Sequence, residues 1–522
     1  MRKIFEKEWK WVVCGLLILG LSFYLRVYQL TILPVFADEA IYIRWSQIMA
    51  NEPTLRFLPL SDGKQPLFMW VLMFLVRRFN DPLFIGRFVS VLAGMGTVVG
   101  IFVLSFLLFR SKKVSLVSSF IWAISPFAIF FERMALVDSM LAFWILWVLI
   151  FGILTVRYRR FDLAMVNGFI LGCASLTKSP AIFSALLLPT VVLVSRFPKK
   201  KREWGKHIIF SSVLFIPTYL IAFGMYNIQR LGPNFQMLSM RTKDYVFPIS
   251  HLWENPKDPF IPHFDRAFEW IEMMGPGIVL PLVLVGVFVL GRKRLREILL
   301  LLIWFFVPLI IQAMFAKTFT ARYVFYTLPP LFALSGIWMA RKERVIRSGS
   351  FLILAILIVQ AVGFDFWLLT DPQRANLPRS ERSGYLEEWT AGTGIREVAQ
   401  FLKEEALREP KKQIVVGTEG YFGTLPDGLW MYVDGVPGIT VIGVGLGIKE
   451  IPISLYESAK AGNKTYLLAN TSRLAFEDDP KNLGLFLVKS YQKAKRPEGL
   501  REYVIHGERD ELQLYEVRLD TL

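Results

Sequence analysis

Two adjacent carboxylates, Asp38 and Glu39, lie in the stretch Phe36-Ala-Asp-Glu-Ala-Ile-Tyr-Ile-Arg-Trp45, between two long apolar runs. An ionised carboxylate in hydrocarbon costs several kcal/mol, so both acids must sit where the chain leaves the apolar phase. Two further stretches carry groups that could act with them, Asp62-Gly-Lys64-Gln-Pro66-Leu-Phe-Met-Trp70 and Phe131-Glu-Arg133-Met-Ala-Leu-Val-Asp138-Ser139. A carboxylate can take the proton of an attacking hydroxyl, while Lys and Arg can hold a departing phosphate, Lys as a point charge and Arg through its fork. Lys64 and Arg133 are the first cations of that kind. Arg322, beside Tyr323 and Tyr326, and Lys178, in the turn Thr177-Lys-Ser-Pro180, are two more. Each has a plainer reading. Asp38-Glu39 could be a solvated acidic loop, the basic residues could be interfacial anchors or snorkelling side chains, and Asp138 could be a helix N-terminal charge favoured by the macrodipole. Glu39 could orient an acceptor, hold a divalent metal, or hydrogen-bond a helix end.

The elements that must position these groups follow from composition. Of 522 residues, 54% are hydrophobic and 15% aromatic, and the mean hydropathy is +0.44, which places the chain among polytopic α-helical membrane proteins. The net charge of +17 is unevenly spread. From residue 370 onward 20 Lys+Arg meet 23 Asp+Glu, whereas the preceding part holds 40 basic and 20 acidic residues. The excess therefore lies between apolar spans, where basic loops set membrane orientation, and it argues for topology rather than nucleic-acid binding. Cys14 and Cys173 both fall inside apolar runs, so no disulfide framework is implied.

About eleven spans are expected, near 11–30, 83–109, 114–131, 136–156, 163–177, 179–196, 207–225, 272–290, 298–316, 321–340 and 349–369. Basic clusters at the N-terminus, Arg110/Lys112/Lys113, Arg157/Arg159/Arg160, Lys199/Lys200/Lys201/Arg202, Arg292/Lys293/Arg294/Arg296 and Arg341/Lys342/Arg344 recur after every second span and mark the cytoplasmic side. The apolar segment from Pro66 to Phe79 is short and ends in Arg77-Arg78. Counted as a span it would reverse every later basic loop, so it is expected to lie at the outer interface. The N-terminus is then cytoplasmic and a multi-pass protein of the plasma (inner) membrane of a prokaryote results. Asp38, Glu39 and Asp138 face outside, as do loops 31–82 and 226–271.

Two domains are expected: a transmembrane domain, 1–369, and an extracytoplasmic soluble α/β domain, 370–522. In the latter, 394–407 has helical spacing, while Gln413-Ile-Val-Val, Ile439-Thr-Val-Ile, Thr465-Tyr-Leu-Leu and Glu511-Leu-Gln-Leu-Tyr-Glu-Val read as strands. Gly392-Thr-Gly follows no expected strand and does not read as a dinucleotide loop. Asn463-Lys-Thr and Asn470-Thr-Ser match the glycosylation sequon. His251 and His263, with Asp258 and Asp265 nearby, match no standard metal-ligand spacing.

Taken in order, Asp-Glu-Ala-x-Tyr (38–42), Gly-Lys-x-Pro-Leu-x-x-Trp (63–70) and Arg-x-x-x-x-Asp (133–138) resemble the membrane glycosyltransferases related to protein O-mannosyltransferases and bacterial aminoarabinose transferases, which have the GT-C fold. The resemblance is strongest over 30–180 and weaker to about 400, where Trp389-Thr-Ala-Gly-Thr-Gly is similar to a segment of some bacterial members. Where the family usually has Lys-Pro-Pro, this chain has Lys64-Gln65-Pro66. The resemblance implies a donor sugar carried on a polyprenyl monophosphate, Asp38 as catalytic carboxylate and Asp138 assisting it. Glu39 joins them as a candidate. Lys64, Arg133, Arg322 and Lys178 become candidates for the donor phosphate, and Tyr42 and Trp70 for substrate contact.

The expected reaction is an inverting transfer of a mannose-like hexose or aminoarabinose from the lipid-linked donor to a hydroxyl or phosphate on an exported protein, lipid or surface glycan. One base suffices, because a phosphate leaves without a general acid, and a base opposite the leaving group gives inversion. A lipid-linked donor agrees with the absence of a GxxxxGK[ST] loop and of a cytoplasmic domain for a nucleotide sugar. The competing reading is a lipid or sugar transporter or flippase, whose sites lie nearer the bilayer midplane, often between repeated halves.

Overall fold

The computed structural model describes residues 2–290, 293–340 and 344–519. Arg292, Arg341 and Lys342, three of the basic residues used to orient the chain, lie outside the described residues. The chain divides into two compact units that interleave in sequence: residues 1–30, 55–71 and 87–377 form the first, and 31–54, 72–86 and 378–522 the second. The second unit thus takes in two pieces of the 31–82 segment.

The first unit is helical. Among the described residues six helices are long and apolar enough to cross a membrane, or up to eight if each of two bent pairs is one span. They include α1 (Arg2–Val27) and later helices at Leu295–Phe315 and Arg344–Thr370. The apolar runs at 163–177, 179–196 and 321–340 correspond to the shorter helices Phe161–Thr177, Ala181–Val194 and Leu328–Met339. Eleven apolar runs therefore become six to eight helices of spanning length. The segment after Pro66 forms only a seven-residue helix, Leu67–Met73, too short to span.

Both bent pairs break at proline. Lys112–Ala123 and Pro126–Glu132 meet at 60°, and Phe260–Met274 and Val279–Phe288 at 101° after Gly275-Pro276. A break in apolar surroundings leaves carbonyls without partners, and here one break serves the other: Ser125 Oγ donates to the Gly275 carbonyl at 2.8 Å. Small residues allow close approach elsewhere. A Cβ on Gly168 would lie 2.8 Å from the Thr218 carbonyl oxygen, so Phe161–Thr177 and Ile216–Asn227 pack backbone to backbone there.

The second unit holds α2 (Ala37–Asn51) and a five-stranded sheet of order β2-β1-β3-β5-β4: β1 (Ile414–Glu419), β2 (Ile439–Gly445), β3 (Lys464–Asn470), β4 (Leu485–Gln492) and β5 (Glu511–Val517). β1 is parallel to β2 and β3, and β5 is antiparallel to β3 and β4. The expected helix is present as Ile395–Arg408, as are the four expected strands. The additional strand, β4, escaped the sequence reading because it is an edge strand whose residues mostly face out, with Lys489, Ser490 and Gln492 breaking the apolar signal. Gly392 is a contact glycine: a Cβ there would lie 2.5 Å from Val35 Cγ1, and its N–H donates to the Val35 carbonyl. Asn470 is buried. Its side-chain N–H donates to Glu419 Oε1 at 2.8 Å and its oxygen accepts from Lys493, so this sequon serves the core.

Candidate active site

In the helical unit Asp138 stands in the first turn of Val137–Tyr158, where its charge meets the positive end of the helix. It is buried, and Lys178, the residue that ends Phe161–Thr177, donates to its Oδ1 at 2.6 Å. The Lys178 ammonium also lies 4.7 Å from the Tyr323 ring centroid, and the Arg322 guanidinium 5.5 Å from the same ring. One aromatic ring thus has two cations near it, one of them paired with a buried carboxylate.

The Lys64 loop reaches the same turn. Gln65 Nε2 donates to Ser179 Oγ at 2.7 Å, next to Lys178. The departure from Lys-Pro-Pro therefore has a physical account, since a proline at 65 could not make this bond. Asp62 lies 3.4 Å from Lys64 Nζ and 2.8 Å from Arg241, and Gly63 turns the chain between them at φ +65°. Only glycine fits, because a Cβ there would meet Arg241 Cγ at 2.7 Å. Trp70 closes the same loop, its Nε1–H donating to the Arg56 carbonyl at 2.6 Å and its ring packing edge-on against Phe57.

Arg133 is occupied otherwise. Its guanidinium donates to the carbonyls of Leu25, Arg26, Tyr28 and Gln29 at 2.7–3.2 Å, capping the C-terminal end of α1. Beside it Arg26 pairs with Glu132, both side chains fully buried, and Trp122 Nε1–H donates to Glu132 at 3.2 Å. Gly94 makes the room, since a Cβ there would lie 2.5 Å from the Glu132 carboxyl. The sequence reading passed over Arg26 and the pairing of Glu132, although a charged residue inside an apolar run is the signal that finds such groups.

In the second unit Asp38 is half-buried in the first turn of α2. Glu39 is fully buried and its Oε2 accepts the Phe36 N–H at 3.0 Å, which closes the helix start in the manner of a capping box. Tyr42, one turn on, is buried with its ring 6.2 Å from that of Trp45. The start of α2 is pinned to the segment 390–392: Ala37 N–H donates to the Thr390 carbonyl at 3.1 Å, Phe36 bridges Ala391, and Phe36 stacks on Tyr385 at 4.3 Å. Asp427 lies beneath the same helix, because a Cβ on its neighbour Gly428 would be 3.6 Å from that of Ala40. Burial pushes the Asp427 carboxyl up to about 6, against the opposing effects of the Gly423 N–H and of Arg44. No sequence signal singled it out.

Among the described residues no group of three or more His, Cys, Asp or Glu could hold a metal ion. His263 is instead buried against Phe319, and His251 stacks on Phe247.

Residues 63–222 match the family model of dolichyl-phosphate-mannose-protein mannosyltransferases. No curated protein matches the chain. Among solved structures, ArnT from Cupriavidus metallidurans in the apo state shares the fold at a TM-score of 0.59, with 13% identity over 97% of this chain and 98% of that one. The same protein bound to undecaprenyl phosphate gives 0.54, with 14% identity over 98% of each chain. AglB from Archaeoglobus fulgidus, in complex with an inhibitory peptide and a dolichol-phosphate, matches at 0.49, with 13% identity over 90% of this chain and 70% of that one, a likeness too slight to carry an argument.

Proposed function

Taking as premise a membrane glycosyltransferase of the GT-C type that uses a polyprenyl-phosphate sugar, we propose that the chain transfers that sugar, with inversion, to a hydroxyl or phosphate of an exported protein, lipid or surface glycan. The observation that carries this reading is the joining of Asp138, Lys178, Tyr323 and Arg322, with the Lys64 loop tied to the same turn through Gln65 and Ser179. A buried acid that holds one lysine, beside an arginine and a second lysine, suits a phosphate dianion that must be released from carbon.

With a hydroxyl acceptor, the bond between the anomeric carbon and the phosphate oxygen breaks and its electron pair leaves with polyprenyl monophosphate. The acceptor oxygen forms the new bond to that carbon from the opposite face, and its proton passes to Asp38. Lys178, Lys64 and Arg322 neutralise the charge that develops on the phosphate. Asp138 is assigned to position Lys178 rather than to take a proton. The sugar is a mannose-like hexose or aminoarabinose, as the family resemblance offers, and the reaction is placed on the outer face of the inner membrane.

The test is transfer of labelled sugar from a panel of polyprenyl monophosphate sugars to native membrane material. Wild type is expected to use one donor, and Asp38→Asn to stop transfer while the protein stays folded. Full activity in Asp38→Asn would remove the base assignment. A folded wild type that used no donor would turn the reading toward transport.

A further inference from the structure

The helix Val137–Tyr158 carries Asp138 in its first turn and Arg157 in its last. At about 1.5 Å per residue these lie roughly 30 Å apart, the thickness of a bilayer's hydrocarbon, so Arg157 marks the membrane face opposite Lys178. Four stretches come together on that face, 107–113, 157–162, 195–207 and 293–297, and they hold 15 Lys and Arg against three acids. Basic loops of this kind mark the cytoplasmic side.

Three observations make a site of this charge. First, Arg157 is half-buried and fastens three span ends: its Nη1 donates to the Leu107 carbonyl at 2.5 Å and its Nε to the Val194 carbonyl at 3.2 Å. Among the described residues its Nη2 donates to nothing. Arg110, Arg196 and Arg294 lie close enough to act on it electrostatically, and the acid that does so is Glu297, which Arg294 already holds at 2.9 Å. Asp162 is likewise taken by Arg160. Among the described residues, four guanidinium groups thus share one carboxylate, and like charges at a low-dielectric boundary call for an anion.

Secondly, two arginines on this face have left-handed backbone, Arg110 at φ +53° and Arg159 at φ +55°. Each follows the last residue of a helix, a position that favours glycine. A side chain kept there at a cost in strain is one whose charge is used. Thirdly, the 195–207 segment orients the cations. Arg159 Nη2 lies 2.7 Å from His207 Nδ1, and because a guanidinium only donates, that nitrogen accepts and His207 Nε2–H donates to Ser195 Oγ at 2.7 Å. Phe197 packs against Trp204 and His207, and the Arg296 guanidinium lies 4.8 Å from its ring.

The occupant follows from what borders the cluster. Tyr158 is 55% and Ile209 66% exposed, and the Phe210 ring lies 5.8 Å from the Arg159 guanidinium, so open apolar side chains adjoin the cations. A ligand suited to both surfaces is an anion that carries apolar tails. We propose that Arg110, Arg157, Arg196 and Arg294 bind the phosphate of an anionic phospholipid in the adjoining leaflet. Their forks suit the two free oxygens of a phosphodiester. Phosphatidylglycerol keeps its negative charge, whereas phosphatidylcholine brings its own cation. The site stands apart from the transfer reading, so its test needs no sugar donor.

The test uses the full-length protein in an uncharged detergent, stripped of lipid, with binding read by native mass spectrometry and by unfolding temperature. Phosphatidylglycerol is expected to bind about tenfold more tightly than phosphatidylcholine and to raise the unfolding temperature. Arg196→Gln, at an exposed position whose side chain makes no hydrogen bond among the described residues, should weaken that binding about tenfold. Arg160→Gln removes the same charge from the same face, but at a side chain held by Asp162, and should stay within about twofold. Equal affinity for the two lipids, or equal losses in the two variants, would reduce the cluster to diffuse surface charge and overturn the site.

Arg110→Gly separates binding from structure, because it removes the guanidinium and relaxes the left-handed backbone. Without lipid it should unfold at the wild-type temperature, yet bind phosphatidylglycerol about tenfold more weakly. A clear loss of stability without lipid, or unchanged binding, removes Arg110 from the site. Glycerophosphoglycerol, the same headgroup without acyl chains, should give no shift at concentrations where the lipid saturates. Binding as tight as that of the lipid would make the ligand a soluble anion and overturn the lipid assignment.

Discussion

Asp138 and Lys178 show how one contact constrains a functional reading. A buried carboxylate with a lysine at 2.6 Å is already paired, so it is well placed to fix an ammonium. Lys178→Met is therefore expected to raise the donor KM about tenfold and to leave the acceptor KM alone, measured in the same transfer assay. Asp427 yields a prediction in pH. Its carboxyl is pushed up to about 6 by burial, so the folded state binds a proton more tightly than the unfolded chain does. Stability is then greatest at acid pH and falls as pH rises through the ordinary carboxylate value toward 6, levelling off above it. Holding the carboxyl at about 6 corresponds to roughly 3 kcal/mol. Asp427→Asn, which keeps an acceptor for the Gly423 N–H, should raise the unfolding temperature of the purified protein at pH 7.5 and change it little at pH 4. Equal effects at both values would refute the burial argument. In the sequence Asp138 and Lys178 were visible as separate candidates, but their pairing joins residues 40 positions apart, at the start of one helix and the end of the next.

At the scale of elements, the charged residues around α1 do structural work that spacing could not reveal. Arg133 read as a phosphate ligand because it opens the Arg-x-x-x-x-Asp motif, yet its donors meet four carbonyls at the end of α1. Arg133→Met should lower the yield of folded protein, with a cost on the order of 3 kcal/mol from unmet carbonyls, and leave kcat per folded molecule within about twofold. A normal yield with kcat lost would restore the phosphate role. Glu39 and Trp70 show the same pattern on a smaller scale, one closing the start of α2 and the other closing the Lys64 loop. Their types suited chemistry; their backbone partners became visible only with the helix ends and loop in place.

At the scale of the molecule, the second unit is held by a buried polar network. Lys493 meets Asp510, Asn470 and the Glu388 carbonyl, Glu419 accepts from Asn470, and Arg496 forks onto Glu388 beside Trp389. Burial pushes Asp510 up, but Lys493 and the Ser472 N–H outweigh it and hold the carboxyl below its usual range. That contribution is present at neutral pH and is lost as pH falls through the lowered value. Lys493→Met leaves Asp510 buried without its cation and should cost about 3–5 kcal/mol, seen as early proteolysis of residues 378–519 on warming. Unchanged protease resistance would show the network to be dispensable.

The sequence by itself determined the class of molecule, because apolar runs, basic clusters and a charge-balanced C-terminal stretch are properties of composition and period. It also determined the motif residues, the helix at 395–408 and the strands whose alternation is strong. Tertiary structure decided which helices reach spanning length, since prolines break two of them and others stop short. It decided that 31–54 packs with the sheet unit, that β4 completes the sheet edge, that Gln65 binds Ser179, and that Arg473 lies on Trp389. The physical reason is common to all of these: hydrophobic periodicity is local and survives in the sequence, whereas a salt bridge, a cap or a stacked ring joins residues tens to hundreds of positions apart, and only packing selects the partner.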